Sequence, residues 1–259
     1  SCTQSTVLFC EWHLSSHQVG REVPLNFQWL VDVQRDGFSG RILIFFQNVE
    51  QTGIVYDFLK VNFDNERTPK PSLHMYHSGT KPEKKAQTVA EFSLPLEPKE
   101  FSVVLCTSSF SLGLDLADIE YVLHFGVPNT VTDYVQETGR ASREPSKHGH
   151  AILLTHHRMG VGRPIERAMR DFYKTSNCRR KTLMAEFRIQ PGHNEKCCDS
   201  CVWDLSLSCP LVSYIQTDTK SHPESASEHS SVYSESTISE SISTPTPSSL
   251  SDLSDWITS

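Results

Sequence analysis

The sequence lacks a signal peptide, and it lacks any apolar run near the roughly 20 residues that a membrane-spanning helix needs. We therefore expect an intracellular protein without a membrane partner. Apolar residues are also sparse, at 37% of the 259 residues. The deficit is concentrated in residues 217–259, which hold fifteen serines, seven acidic residues and one lysine. Such a segment buries too little apolar surface to offset the entropy of ordering, so we predict an acidic, Ser/Thr-rich, disordered tail.

The eight cysteines are distributed unevenly, which argues against an extracellular disulfide framework. Five of them crowd one segment: Cys178, Cys197, Cys198, Cys201 and Cys209. Clustered cysteines in a chain without a secretion signal are typical of a metal site in a reducing compartment. Structural zinc sites take four Cys or His ligands. We predict structural Zn²⁺ on Cys178, Cys198 and Cys201, with Cys197 or His193 as the fourth ligand and a set of free thiols as the alternative.

Short apolar runs alternate with helical stretches through the middle of the chain. We predict strands at 41–46, 72–76, 101–106, 120–125 and 151–155, and helices at 49–59, 82–92 and 130–141. Continuous Val/Ile/Leu runs that alternate with helices indicate an α/β fold, a parallel sheet with helices on both faces. In such folds ligands bind at the carboxyl ends of the strands.

Composition divides the chain into four predicted regions. Residues 1–37 show little periodicity and are expected to be a linker from a preceding lobe. The alternating pattern fills 38–157, and a basic helical stretch that includes the cysteine cluster fills 158–210. The disordered tail is predicted at 217–259.

Two arginines, Arg140 and Arg143, stand three residues apart, directly after Gly139. Guanidinium groups bind phosphate oxygens bidentately and stay ionised, so this pair suits a polyphosphate whose charge changes during cleavage. Gln136 precedes Arg140 by four residues, which places both on one helical face. A solvated basic turn is the alternative for an isolated pair of this kind.

The ordered motifs resemble the second RecA-like lobe of superfamily-two helicases, and most closely the RecQ-like DNA helicases. Residues 42–48 resemble motif IV, 75–80 the segment that approaches the nucleic-acid backbone, 105–115 motif V and 136–143 motif VI. The resemblance covers roughly residues 38–205 and implies a RecA-like parallel sheet followed by a small helical zinc-binding subdomain.

The resemblance implies an ATP-dependent DNA helicase that binds single-stranded or forked DNA, unwinds DNA from 3′ to 5′ and acts in DNA repair and recombination in the nucleus. Arg140 and Arg143 would reach the γ-phosphate across an interlobe cleft as arginine fingers, and Gln136 would position the attacking water. The nucleotide would lie beside Gly113, Asp115 and Gly139. The DNA backbone would contact Thr107, His77, Ser78, Arg179 and Arg180. Local alternatives are a turn-forming Asp115, a strand-end His77 and a solvated basic face on the last two arginines.

The chain departs from the family pattern at a few positions. Ser142 replaces the usual glycine between the two arginines and adds a Cβ and a hydroxyl in a crowded turn. Leu112 replaces a methionine of similar volume, which is a tolerated exchange. The family's remaining zinc ligand falls at Glu195, which adds this residue to the candidates for the fourth ligand.

The sequence contains neither a Walker A loop of the form Gly-x-x-x-x-Gly-Lys-Ser/Thr nor an acidic Walker B segment. We therefore expect ATP and Mg²⁺ to be bound mainly by a first motor lobe in cis, and the 259-residue chain alone to be inactive. The chain starts at Ser1, which fits a fragment. A non-catalytic module that binds nucleic acid or protein is the alternative. A DEAD-box RNA helicase is disfavoured, because that class has His-Arg at the start of motif VI and lacks the cysteine cluster.

Overall fold

A computed structural model describes residues 6–11, 23, 25–64, 69–110, 119–141, 149–155, 163–189, 198–201 and 209–220. The strands are β1 (Thr6–Glu11), β2 (Gly40–Phe46), β3 (Ser72–Tyr76), β4 (Phe101–Cys106), β5 (Ile119–Phe125) and β6 (His150–Thr155). The helices are α1 (Gln28–Arg35), α2 (Val49–Asn62), α3 (Pro82–Phe92), α4 (Val131–Thr138), α5 (Arg167–Lys174), α6 (Arg179–Glu186) and α7 (Pro210–Lys220). Within the described chain no helix is both long and apolar enough to cross a lipid bilayer.

The strands form one parallel sheet in the order β1-β6-β5-β2-β4-β3. Side chains alternate between the two faces of the central strand β2. Ile42 and Ile44 join a core with residues of α1 and α2, whereas Leu43 and Phe45 join a second core with Phe92 of α3. The sheet is therefore buried on both faces, and the predicted RecA-like α/β fold is confirmed.

Helix α1 lies upstream of residue 38, where the sequence predicts the lobe to begin. Its Trp29, Leu30 and Val33 are buried in the same core as Ile42. Strand β1 also belongs to the sheet, because it pairs in parallel with β6. The described parts of residues 1–37 therefore belong to the lobe, and the linker predicted for this segment is wrong for α1 and β1. The partner of β1 in the sheet, β6, lies far along the chain, so local periodicity does not reveal this strand.

The predicted start of the disordered tail is also wrong, because of helix α7. The sequence predicts a disordered tail from residue 217, but α7 continues to Lys220. Its Leu211, Val212 and Ile215 are buried in the core that contains α1, and the Tyr214 hydroxyl donates to Asp36 Oδ2 at 2.8 Å. The rest of the predicted tail, 221–259, lies outside the described residues.

Replacing Trp29 with alanine tests whether α1 is part of the cooperative unit. Truncating a fully buried aromatic side chain costs about 3–5 kcal/mol, so urea unfolding of the 259-residue chain should show a loss of this size. The control is Val61→Ala at a residue 81% exposed, which should change stability by less than about 0.5 kcal/mol. Equal stability of the two variants would contradict the placement of α1 in the core.

Candidate functional site

The carboxyl ends of the central strands lie at one edge of the sheet, because all strands are parallel. Gln47 follows β2, His77 follows β3, Thr107 follows β4 and Gly126 follows β5. This is the edge where ligands bind in open α/β sheets. The fold therefore places the motif IV, motif V and backbone-contact segments on the same edge.

The loop after β3 brings together three predicted DNA-contact residues. The Thr107 N–H donates to Tyr76 O at 3.2 Å, so motif V is bonded to the start of the loop that carries His77 and Ser78. Within the loop, the His77 N–H donates to Thr80 Oγ1 and the Gly79 N–H donates to His77 Nδ1, at 3.0 and 3.1 Å. These bonds hold the loop in one conformation on the exposed edge of the sheet.

Lys85 of α3 is a neighbour of this loop that the motif comparison does not identify. Its Nζ donates to Ser78 O at 3.0 Å and lies 5.4 Å from the centre of the Tyr76 ring. Burial, reinforced by the positive charge of Lys85, lowers the pKa of His77. His77 is therefore a neutral donor at pH 7, and Lys85 supplies the positive charge beside the loop.

Helix α4 carries the first part of motif VI. Thr130 caps it by accepting from the Asp133 N–H at 3.0 Å, and the helix ends at Thr138, short of the predicted residue 141. Gly139 follows, and a Cβ at this position would lie 2.9 Å from Val135 O. The lack of space for a side chain therefore accounts for a glycine at this position, in addition to its predicted place near the nucleotide.

Arg140 lies in a tight turn after α4 and is only 6% exposed, whereas Gln136 is exposed. Burial raises the pKa of Cys106, at the end of β4, well above its usual value; the Glu137 carboxylate adds to this increase and the Arg140 guanidinium opposes it. Arg140 and Glu137 therefore lie close to the end of β4. Arg143, Ser142, Gly113 and Asp115 lie outside the described residues, so the geometry of the arginine pair stays a prediction.

His124 and Glu137 form a buried polar pair beneath motif VI that the sequence motifs do not identify. His124 Nε2 and Glu137 Oε2 are 2.8 Å apart, and both residues are buried. The imidazole stacks on the Phe45 ring with centroids 5.1 Å apart. This pair joins α4 to β5 inside the sheet edge. A buried histidine in a strand and a glutamate thirteen residues later give no sign of their contact in the sequence.

Three of the predicted zinc ligands come together at the start of α6. The Cys198 Sγ lies 3.9 Å from the Cys178 Sγ and 3.5 Å from the Cys201 Sγ. Thiolates arranged tetrahedrally at a Zn–S distance of about 2.3 Å lie roughly 3.8 Å apart, so this triad fits a zinc ion. The other candidates, Cys197, His193 and Glu195, lie outside the described residues.

Cys209, the fifth cysteine of the crowded segment, has a separate place. It is buried in the core beside α1, and burial raises the pKa of its thiol to about 11. A thiol in this environment stays protonated, which is unfavourable for a metal ligand.

Arg179, a predicted DNA contact, is engaged inside the protein. Its Nε donates to both oxygens of Asp199 at 2.7 and 2.9 Å, and its Nη1 donates to the carbonyls of Phe172, Tyr173 and Thr175. These bonds connect α6 to the end of α5 and to residues 198–201, the cysteine loop. Arg179 is 7% exposed and its donors are used inside the protein, which disfavours a contact with a DNA phosphate. Its neighbour Arg180 is only partly buried.

Comparison with known proteins identifies the family of the lobe. Residues 26–144 match the profile of the helicase conserved C-terminal domain family, from α1 to the end of motif VI. Within residues 26–144 the lobe is therefore similar to helicase C-terminal domains. The RecQ-like resemblance seen in the motifs is confirmed as a relationship, because RecQ-type helicases are among the relatives of the chain.

The relatives include DNA and RNA helicases. The chain is 30% identical to the ATP-dependent DNA helicase RecQ of Pasteurella multocida over 156 residues, which are 54% of this chain and 23% of that protein. Identity to the ATP-dependent DNA helicase Q1 of Mus musculus is 27% over 179 residues, 61% of this chain and 26% of that protein. DEAD-box ATP-dependent RNA helicase 32 of Oryza sativa subsp. japonica is 31% identical over 133 residues, 51% and 16% of the two chains. The chain thus spans about a quarter or less of the length of these relatives.

Solved structures of helicase domains are similar as well. The structure of Mss116p DEAD-box helicase domain 2 bound to an RNA duplex aligns with a TM-score of 0.43 at 21% identity, over 60% of this chain and 55% of that chain.

Proposed function

We propose that this chain is the second motor lobe and zinc subdomain of an ATP-dependent DNA helicase of RecQ type, which unwinds DNA from 3′ to 5′. The observation that carries the proposal is a shared core. Tyr134 of the motif VI helix, Phe172 of α5 and Cys198 of the thiol triad lie in one apolar cluster. A cysteine-bearing helical unit packed directly on motif VI favours the RecQ type over the DEAD-box type. A DNA substrate is the reason to expect a nuclear protein that acts in repair or recombination.

The proposed nucleotide contacts follow motif VI. Arg140 and Arg143 stabilise the charge that develops on the γ-phosphate, and Gln136 positions the attacking water. Gly113, Asp115 and Gly139 line the same cleft. ATP and Mg²⁺ are held mainly by a first lobe in cis that carries the phosphate-binding loop. The chain alone therefore does not turn over ATP.

The proposed DNA path crosses the loop after β3. Thr107, His77 and Ser78 contact the phosphates of a single strand, and Lys85 adds a positive charge beside them. Arg180 of α6 is proposed as a further phosphate contact. Backbone contacts of this type give affinity that is independent of sequence and falls with salt.

The salt dependence of DNA binding tests this path. We expect the 259-residue chain to bind a single-stranded oligonucleotide, and Lys85→Ala to reduce the slope of log affinity against log salt by about 0.7, the value for one phosphate contact on a single strand. The matched control is Lys60→Ala, because Lys60 also lies over a tyrosine ring but stands at the end of α2, at the opposite edge of the sheet. Fluorescence anisotropy at several salt concentrations measures both. Equal slopes for the two variants would contradict the proposed path.

The proposed zinc site is structural. The thiolates of Cys178, Cys198 and Cys201 supply three ligands, and Cys197, His193 or Glu195 supplies the fourth. Zinc held in this way would link the start of α6 to residues 198–201. It would thereby stabilise the apolar cluster that contains Tyr134 and Cys198.

A second candidate function is a non-catalytic module that keeps the fold and binds nucleic acid or a partner protein. The near-complete burial of Arg140 favours it, because a finger arginine must reach a phosphate outside its own lobe. ATP turnover by the full-length protein in the presence of single-stranded DNA distinguishes the two functions. Turnover that depends on Arg140 supports the helicase, and DNA binding without turnover supports the module.

A further inference from the structure

Residues 163–166, just before α5, are hydrogen-bonded to the loop that leads into α4, the helix of motif VI. The Arg163 guanidinium donates from Nη1 to Val127 O at 3.1 Å, and from Nη2 to Asn129 Oδ1 and to Gln47 Oε1, both at 2.6 Å. The Gln47 side chain in turn donates to Gly126 O at 3.3 Å. One guanidinium thus joins the ends of β2 and β5, from a position more than thirty residues beyond either loop.

Glu166 completes the attachment from the same segment. Its N–H donates to Asn129 O at 2.8 Å, and its Oε2 accepts from the Val131 N–H at 3.0 Å. Val131 is the first residue of α4, so its N–H has no acceptor within the helix. A carboxylate at this end of a helix also interacts favourably with the helix dipole. Arg163 and Glu166 therefore make four hydrogen bonds to residues 127–131 at the start of α4, and Arg163 makes a fifth to Gln47 after β2.

The far end of α4 carries the residues proposed to act on ATP. The helix has eight residues and is about 12 Å long, so it moves as one rigid unit. Gln136 lies in its last turn, and Arg140 is the second residue after it. A change in the position or direction of the first turn is therefore transmitted to both side chains.

We infer that Arg163 and Glu166 are positioning residues for motif VI, which set the place of Gln136 and Arg140 by fixing the start of α4. The inference rests on the proposed role of Arg140 at the nucleotide. Packing of Tyr134 on Phe172, with ring centroids 5.0 Å apart, holds α4 on α5 independently of these hydrogen bonds. Loss of the bonds should therefore displace the helix start without unfolding the lobe.

The test compares alanine variants with variants that keep the bonding atoms. In the full-length protein, Arg163→Ala should lower kcat for DNA-stimulated ATP hydrolysis by about 10- to 100-fold, because catalysis is sensitive to displacements near 1 Å, while KM for ATP changes little. Glu166→Ala should lower kcat in the same direction. Glu166→Gln should restore most of it, because an amide oxygen still accepts from the Val131 N–H. The matched control is Arg167→Ala, since Arg167 is 91% exposed and pairs with Asp171 within α5.

Hydrogen exchange of the 259-residue chain gives a readout that does not involve ATP. Amides at the start of α4 should exchange about fivefold faster in the two alanine variants, an effect typical of a lost helix cap, and at the wild-type rate in Glu166→Gln and Arg167→Ala. Unchanged exchange, or faster exchange with unchanged kcat, would overturn the inference alone. A wild-type protein without ATP turnover would overturn the proposed function, and the catalytic part of this inference with it.

Discussion

Replacement of Arg140 by alanine in the full-length protein should lower ATP turnover by about 10³-fold or more and leave ATP binding nearly unchanged. The reason is that an arginine finger interacts with charge that develops only in the transition state, so its loss appears in kcat rather than in the affinity for ATP. Single-turnover hydrolysis and binding of a fluorescent ATP analogue measure the two quantities separately.

Burial of Arg140 requires a control for stability. The side chain is 6% exposed and lies near Glu137, so alanine also removes packing and a positive charge from the lobe. Arg140→Lys keeps the charge but not the bidentate geometry, and we expect it to fold like the wild type while turnover stays low. Arg170→Ala, at an exposed arginine of α5, is the neutral control. Turnover by Arg140→Lys close to that of the wild type would contradict a bidentate contact with the phosphate.

Replacement of Cys198 by serine should abolish the binding of one zinc ion per chain. Cys198 is fully buried, and its Sγ lies 3.9 Å from the Cys178 Sγ and 3.5 Å from the Cys201 Sγ. Zinc binding contributes about 10 kcal/mol or more to the folding of small structural sites, so its loss should destabilise the shared cluster around Tyr134 strongly. Elemental analysis of the purified chain and thermal unfolding with and without a chelator provide the measurements.

The matched control for this prediction is Cys209→Ala. Cys209 is another buried thiol of the same crowded segment, but it lies in the core beside α1. We expect this variant to keep its zinc and to lose stability only through lost packing. Wild-type protein purified without zinc, or equal zinc in both variants, would show that the triad is a set of free thiols.

The central strands were predictable because they are continuous apolar runs. The bounds of β3, α3 and β4 agree with the sequence prediction, and α3 begins at Pro82, a residue favoured in the first turn of a helix. Strand β1 was missed because its register depends on β6, nearly 150 residues later. Helix α7 was missed because its few apolar residues border a serine-rich tail that dominates the local composition.

The candidate site was predictable in its motifs but not in its supporting bonds. The resemblance predicts Thr107, His77 and Ser78 as DNA contacts, and the structure brings them to one edge because they follow parallel strands. The contacts of Arg163 with Gln47 and of Arg179 with Asp199 depend on how distant segments fold together, so no local pattern announces them. A basic pair such as Arg179-Arg180 has the same composition whether it faces DNA or closes a helix end.

The central claim is that this lobe completes an ATPase whose phosphate-binding loop lies on another lobe. The most direct measurement is ATP hydrolysis, with and without single-stranded DNA, by the natural full-length protein and by the 259-residue chain at equal concentrations. The account predicts DNA-stimulated turnover by the full-length protein and only background turnover by the chain. DNA-stimulated turnover by the chain alone, or its absence in the full-length protein, would contradict the claim.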